Sequence, residues 1–374
     1  MTATLAADGA IKCLIVSGVN ITRLPERAPG EQPERDYAAL SAVLDADIVD
    51  NENFLEVGGR WAGLVNRTMG EKWGVAAAAV ARARARGVQA ILAMNDDIGV
   101  PLGVLLQLTR TRIPYVMIGQ HMMGRRPEFF LRRLHMYGAY SQILSLAEEE
   151  TRFIHEHYGV PKDLLTTIYW YTDHRFYSPQ PDVPVKRQVC SAGMTSRDYR
   201  TLIEATRGLD VDVKIEAHSA WFNNGVNFTP DMLHERFEVC SYGTSLALRQ
   251  LYAESMIVAV PLQDVPFIAG YSTLLEGMAM GKPVVASRIK LIGDFIRDGW
   301  NGFLVRPGDP GHMRERIQFL LDNPDEARRI GENARRTIEE RFTLDHFRTN
   351  VVGQLKAAVL NAAAARGRRH PVGA

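Results

Sequence analysis

Short runs of β-branched and apolar residues alternate with longer helical patterns from one end of the chain to the other, and no other feature limits the fold as much. The pattern is that of repeated βα units, whose parallel strands are buried on both faces and read as near-continuous apolar runs. The predicted class is α/β. In the first half, KCLIVSG (Lys12 to Gly18) reads as an opening buried strand and the Ala-rich stretch from Gly74 to Arg86 as a helix. Ala90 to Met94, Tyr115 to Gly119 and Gln142 to Leu146 read as further strands. Around Tyr169 to Pro184 the pattern breaks into aromatic and Pro-rich sequence, and RQVCSAG (Arg187 to Gly193) restarts the strand, turn, helix theme. The second half repeats it. Strands are expected near Val211 to Ala217, Met256 to Leu262, Pro283 to Ser287 and Gly302 to Val305. Helices are expected from near Ser272 and over Pro310 to Leu321, Pro324 to Arg341 and Leu344 to Ala364. The expected division is a first Rossmann-like domain over 1–179 and a second over 180–345. A C-terminal helix over 346–365 returns to the first domain, and 366–374 form a disordered tail.

Length supports two domains, because 374 residues exceed what one hydrophobic core usually serves. With 46% hydrophobic and 23% charged residues, the composition is that of a globular enzyme. No apolar run approaches the roughly 18 to 20 residues of a membrane-spanning helix. The start MTATLAADGAIK lacks the basic and apolar regions of an export signal, so the expected location is cytoplasmic. Cys13, Cys190 and Cys240 are odd in number and widely spaced, which argues for reduced thiols rather than a disulfide framework or zinc site. A net charge of +1 without interleaved aromatic and basic residues gives no reason to expect nucleic acid as a partner.

Chemistry concentrates in AGYSTLLEGMAMGKPVVAS, Ala269 to Ser287. A strand ending before Gly270, with Ser272 and Thr273 entering a helix, aims free backbone N–H groups and the positive helix end at an anion, as a phosphate cradle does. Glu276 on the same helix can accept two hydroxyl hydrogen bonds, as from a ribose diol, or can complement the helix dipole.

This stretch and RDGWNGFLVRPGDP (Arg297 to Pro310) together resemble the retaining GT-B glycosyltransferases of family four, the glycosyl transferases group 1, whose motifs follow in this order and spacing. The resemblance implies two Rossmann-like parallel-sheet domains facing across a cleft, with the acceptor on the first and a nucleoside diphosphate sugar on the second. It implies that Glu276 binds the ribose and that Gly270, Tyr271, Ser272 and Thr273 line the diphosphate. GMTSRDYRTLIEA (Gly193 to Ala205) is similar to the family's first turn of the second domain, where basic side chains neutralise the diphosphate; Arg197 is the matching residue, and Lys290 in the loop after PVVAS can face the same phosphates. In YVMIGQHMMG, His121 follows a strand as a family histidine does that points toward the donor sugar. Tyr158 to Pro179 matches the segment closing the family's first domain through Asp173 and Phe176, with Trp170 and Tyr171 where Asn-Gly is usual. The chain departs from the family in two places. Ile268 stands where a first glutamate usually holds the donor sugar, and SGVNITRLPERAPGEQPERDY (Ser17 to Tyr37) replaces a Gly-Gly turn with a long charged loop. A long loop at a strand's carboxyl end usually carries function, so Arg23, Arg27 or Arg35 can meet the acceptor.

The function expected from this resemblance is transfer of a sugar from a UDP- or GDP-linked donor to a small-molecule or lipid-linked acceptor with retained configuration. No cofactor and no metal are required, because fixed positive charge does the neutralising. Asp96 and Asp97 form the adjacent acidic pair that a metal would use, and they read instead as capping aspartates at a strand end. GRRPEFFLRRLHMYGAY (Gly124 to Tyr140) is basic and aromatic at helical spacing; it can rest weakly on anionic lipid or pack on its own sheet with a solvated basic edge. A sugar-nucleotide epimerase, a phosphorolytic enzyme and a non-catalytic nucleotide-sugar-binding subunit are the rival readings.

Overall fold

The computed structural model describes residues 10–22, 30–217, 234–241, 243–265 and 269–369, without the side chains of 367–369, and all counts refer to these. Arg23, Arg27 and Ile268 lie outside the described residues, as do 370–374 of the expected tail. Contacts divide the chain into two compact units. The first holds 1–26, 36–169 and 347–374; the second holds 27–35 and 170–346.

The first unit runs β1 (Lys12–Val16), α1 (Asp36–Ser41), β2 (Asp45–Val49), α2 (Phe54–Met69), α3 (Glu71–Arg86), β3 (Ala90–Ala93), α4 (Asp96–Leu108), β4 (Tyr115–Ile118), β5 (Gln142–Ser145), α5 (Glu148–Tyr158) and β6 (Leu165–Thr167). Its six strands form one sheet in the order β2-β1-β3-β4-β5-β6, every pair parallel. Leu14, Ile91, Met117 and Ile143 from successive strands are fully buried, which is why these segments are apolar at nearly every position. Helix α3 covers one face with Ala76, Ala77, Ala78 and Ala79, all fully buried; small side chains let α2 approach so closely that a Cβ on Gly58 would fall 2.8 Å from Ala78.

The second unit runs β7 (Lys186–Ala192), α6 (Tyr199–Thr206), β8 (Asp212–Glu216), β9 (Phe237–Cys240), α7 (Ser245–Glu254), β10 (Ser255–Val260), α8 (Tyr271–Ala279), β11 (Val284–Ser287), β12 (Phe303–Val305), α9 (Pro310–Asp322) and α10 (Pro324–Arg341). Its six-stranded parallel sheet has the order β12-β11-β10-β7-β8-β9. Two three-stranded halves, β7-β8-β9 and β10-β11-β12, therefore diverge from the central β7 and β10, the strand order of a doubly wound Rossmann sheet. Helix α11 (Leu344–Arg369) begins in this unit, and from Phe347 onward it belongs to the first. It extends beyond Ala364, so residues 366–369 of the expected tail are helical.

One expected element is corrected. Gly124 to Tyr140 is not one amphipathic helix: a helical turn at Arg125–Pro127 passes into π-type winding over Glu128–Arg133, and the chain then reverses at His135, whose φ is 51°. Leu131 is buried and Phe130 meets the Trp73 ring edge-on at 5.8 Å, so this short piece packs on its own unit. All three cysteines are buried and free, and burial pushes the Cys13 and Cys190 thiols up to about 12.

Candidate functional site

In an open α/β sheet, ligands bind at the carboxyl ends of the strands where the strand order reverses. In the second unit that point lies between β7 and β10, and a cavity of about 550 Å³ opens beside it. Ala192 and Gly193 from the end of β7, Glu216 from the end of β8, Thr244 and Ser245 at the start of α7, and Ser272, Thr273 and Glu276 on α8 line it. Its rim is built from Trp170 to Asp173 and from Pro33, Glu34 and Arg35, all of the same unit.

Gly193 is part of this lining, whereas Gly270 is not and instead sets the start of the helix that supplies Ser272, Thr273 and Glu276. Gly193 has φ 89°, and a Cβ there would stand 2.7 Å from the Arg197 guanidinium. Gly270 has φ 81° and turns the chain into α8; a Cβ would meet the Leu262 side chain at 2.8 Å. No side chain caps α8, so its first amides and the positive end of its dipole are left for an anion.

Glu276 sits two turns into α8, half-buried at the cavity wall. Tyr252 donates its hydroxyl to the Glu276 carboxylate at 2.9 Å, and the Tyr177 hydroxyl bonds the same group. Burial pushes Glu276 up to about 7 against these hydrogen bonds and the charge of Arg197, which pull the other way. Both phenols are held well above their usual range, first by burial and then by this carboxylate, so they remain donors.

Arg197 is buried beneath Gly193. Its Nε donates to Ala192 O at 2.8 Å, one terminal nitrogen to Thr195 O at 3.1 Å and the other to Thr273 Oγ1 at 2.9 Å. Thr273 in turn donates to Ala192 O at 3.1 Å, which ties α8 to the end of β7. Arg197 therefore lies against the cavity floor with much of its donor capacity already taken up by protein. The Tyr271 ring points into the core, where its hydroxyl donates to Leu291 O and the ring packs on Phe295 at 4.8 Å. Lys290 is exposed on a short 3₁₀ turn and does not line the cavity.

His121 belongs to the first unit, three residues beyond β4, and is exposed. Its loop is gripped from below: the amides of Gln120 and His121 both donate to Asp96 Oδ1 at 2.9 Å, and the Met122 amide donates to Glu150 at 3.3 Å. Burial pushes Glu150 up to about 8. Asp96 is thus neither a cap nor an open ligand; Asn95 caps α4 by accepting from the Ile98 amide. Asp97 pairs with Lys72 and Arg126, and no cluster suited to a metal occurs among the described residues.

Sequence reasoning overlooked Tyr177, Tyr252 and Glu216. Glu216 was findable, since it ends a strand at the ligand-binding edge; the two tyrosines are far from Glu276 in sequence and meet it only through the fold.

Residues 233–337 match the model of the family described as "Glycosyl transferases group 1". Among curated proteins, the chain is 25% identical over 134 residues to an uncharacterised glycosyltransferase of Methanocaldococcus jannaschii, covering 36% of this chain and 37% of that one. It is 25% identical over 230 residues to the MMP alpha-(1->4)-mannosyltransferase of Mycolicibacterium hassiacum, covering 60% and 56% respectively. The aligned stretches thus span just over a third and just over half of these relatives' own lengths. Among solved structures, a glycosyltransferase from Rickettsia africae superposes with a TM-score of 0.69 at 16% identity over 93% of this chain and 99% of that one. Anabaena HepE in complex with UDP gives 0.69 at 17% identity over 93% and 100%. These likenesses show the fold, two Rossmann-like units of the GT-B class. Residues 233–337, which carry α8 and its Glu276, are thus similar to the glycosyl transferases group 1.

Proposed function

We propose that this protein is a retaining glycosyltransferase that moves a sugar from a nucleoside diphosphate donor, UDP- or GDP-linked, to a small-molecule or lipid-linked acceptor. The observation that carries the reading is the cavity at the sheet's switch point, where the uncapped start of α8 and the Glu276 carboxylate stand on one helix. A diphosphate fits the former and a ribose diol the latter. Relatives named as glycosyltransferases, and a neighbour of the same fold solved with UDP, support this choice.

On this reading the bond between the anomeric carbon and the diphosphate oxygen breaks while the acceptor oxygen attacks from the same face, its proton passing to the departing phosphate. Negative charge builds on the leaving group and is met by the amides of Gly270 to Thr273 and by the potential of Arg197 beneath Gly193. His121, the histidine singled out by the family resemblance, is held through its amide by Asp96. Turnover then persists in EDTA, since the charge is met by protein groups.

The deciding measurement is calorimetric titration of wild type and Glu276→Gln with UDP and GDP and with their 2′,3′-dideoxy counterparts, as a double-mutant cycle. A coupling of about 1 kcal/mol or more is expected for a charge-assisted diol contact. Coupling near zero in a folded variant would sink the ribose assignment, and sugar transfer absent across a broad acceptor panel despite tight donor binding would favour a non-catalytic subunit.

A further inference from the structure

The side chains around the cavity carry an unexpected balance of charge. Among the described residues, four carboxylates, Glu34, Asp173, Glu216 and Glu276, line it with a single cation, Arg35. Arg197 lies under the floor bonded to Ala192, Thr195 and Thr273, and Lys290 is not part of the lining. A diphosphate entering such a site meets net negative charge, which the α8 amides offset only in part.

Arg35 comes from the segment between β1 and α1, yet residues 30–35 pack with the second unit. Asp173 fastens the segment: its Oδ2 accepts the Glu34 amide at 2.8 Å, while its Oδ1 accepts the amides of Arg175 and Phe176 at 3.0 and 3.2 Å. That carboxylate is consumed by backbone donors and fixes the strap one residue before Arg35. The Arg35 side chain is exposed at the cavity and makes no hydrogen bond or ion pair with any described residue, so its five N–H donors remain for a ligand.

We infer that Arg35, held over the cavity by the Asp173 clasp, is the cation that grips the diphosphate of the bound nucleotide. The inference rests on the proposed nucleotide site and adds a binding residue from outside the matched 233–337 segment. A guanidinium suits phosphoryl oxygens through paired N–H donors, and its position on the strap lets it follow the leaving group as charge develops.

The test uses the full chain and two matched probe pairs, UDP with uridine and GDP with guanosine, titrated into wild type, Arg35→Gln, Arg35→Lys and Asp173→Asn. For the diphosphate that wild type binds, Arg35→Gln should weaken affinity roughly ten- to a hundredfold and leave the nucleoside unchanged. Arg35→Lys should recover part of the loss, and Asp173→Asn should show a smaller version of the same selective defect. Because Arg35 is exposed, its variants should keep the wild-type melting temperature. Equal diphosphate affinity in Arg35→Gln, or an equal loss for diphosphate and nucleoside, would overturn the role of Arg35 and leave the nucleotide site standing. Wild type that binds neither diphosphate would remove the nucleotide site and Arg35 with it.

Discussion

Glu276 couples binding and folding to pH through one carboxyl group. Held up to about 7 against an ordinary value of 4.5, it keeps its proton in the native state over a range where the unfolded chain has lost it. The native state therefore binds more protons between these values, and its stability falls as pH rises through that window. Glu276→Gln removes the effect. The melting temperature of wild type relative to the variant should decline from pH 5 to pH 7 and level off above, by at most about 3 kcal/mol of stability; a flat difference would contradict the raised carboxyl. Ligand binding has the opposite sign. A diol donates best to the ionised form, so nucleotide affinity should climb as pH rises toward 7, and uptake should release a proton measurable as a buffer-dependent enthalpy. Arg197 makes a different prediction. Arg197→Ala removes one of the two donors to Ala192 O together with the donors to Thr195 O and Thr273 Oγ1, at about 0.5 to 1.5 kcal/mol for each bond lost. Denaturant titration should show a clear stability loss in addition to any weakening of nucleotide binding, and a variant of wild-type stability would show that these bonds are dispensable. The family resemblance identified Arg197 as a candidate, but three bonds to backbone and hydroxyl oxygens leave no mark in sequence.

At the scale of elements, the inner strands of both sheets were legible because burial on two faces demands unbroken apolar runs, as in KCLIV and SMIVAV, whereas the edge strands β2, β6 and β9 were not. Strand β2, DADIV, carries two aspartates on a sheet edge and gives no such signal. Motif spacing likewise located the turn before α8 but not the direction of each side chain, so Tyr271 was grouped with the phosphate loop although its ring is in the core. The pattern of Arg125 to Leu134 was periodic enough for a helix; the π-type winding and the left-handed His135 that end it depend on how Leu131 and Phe130 seat against their unit. The His121 loop gives a prediction at this scale. Asp96→Ala removes the acceptor for two consecutive amides, so hydrogen exchange at Gln120 and His121 should accelerate at least tenfold. Unchanged protection would mean that the loop is held by other groups.

On the scale of the whole molecule, each unit is assembled from separated stretches of chain: the division falls at 26/27, 35/36, 169/170 and 346/347. The final helix closes this plan, with Phe347, Val351 and Leu355 buried on the portion assigned to the first unit. Ending the chain at His346 should therefore destabilise the first unit although the cut follows the second, since each such side chain contributes roughly 1.5 to 3 kcal/mol when buried. Limited proteolysis of the shortened chain should cleave within 36–169 before 170–346, and the reverse order would refute the assignment. The strap carrying Arg35 has a further consequence for how such a protein can be recombined. A splice that exchanges everything after residue 169 for the corresponding half of a relative would import a new nucleotide pocket and leave part of the old one's rim behind, encoded more than a hundred residues upstream. Grafting donor preference onto this scaffold thus calls for an exchange of residues 27–35 together with the second half, and hybrids joined at a single point should bind nucleotide less tightly than either parent.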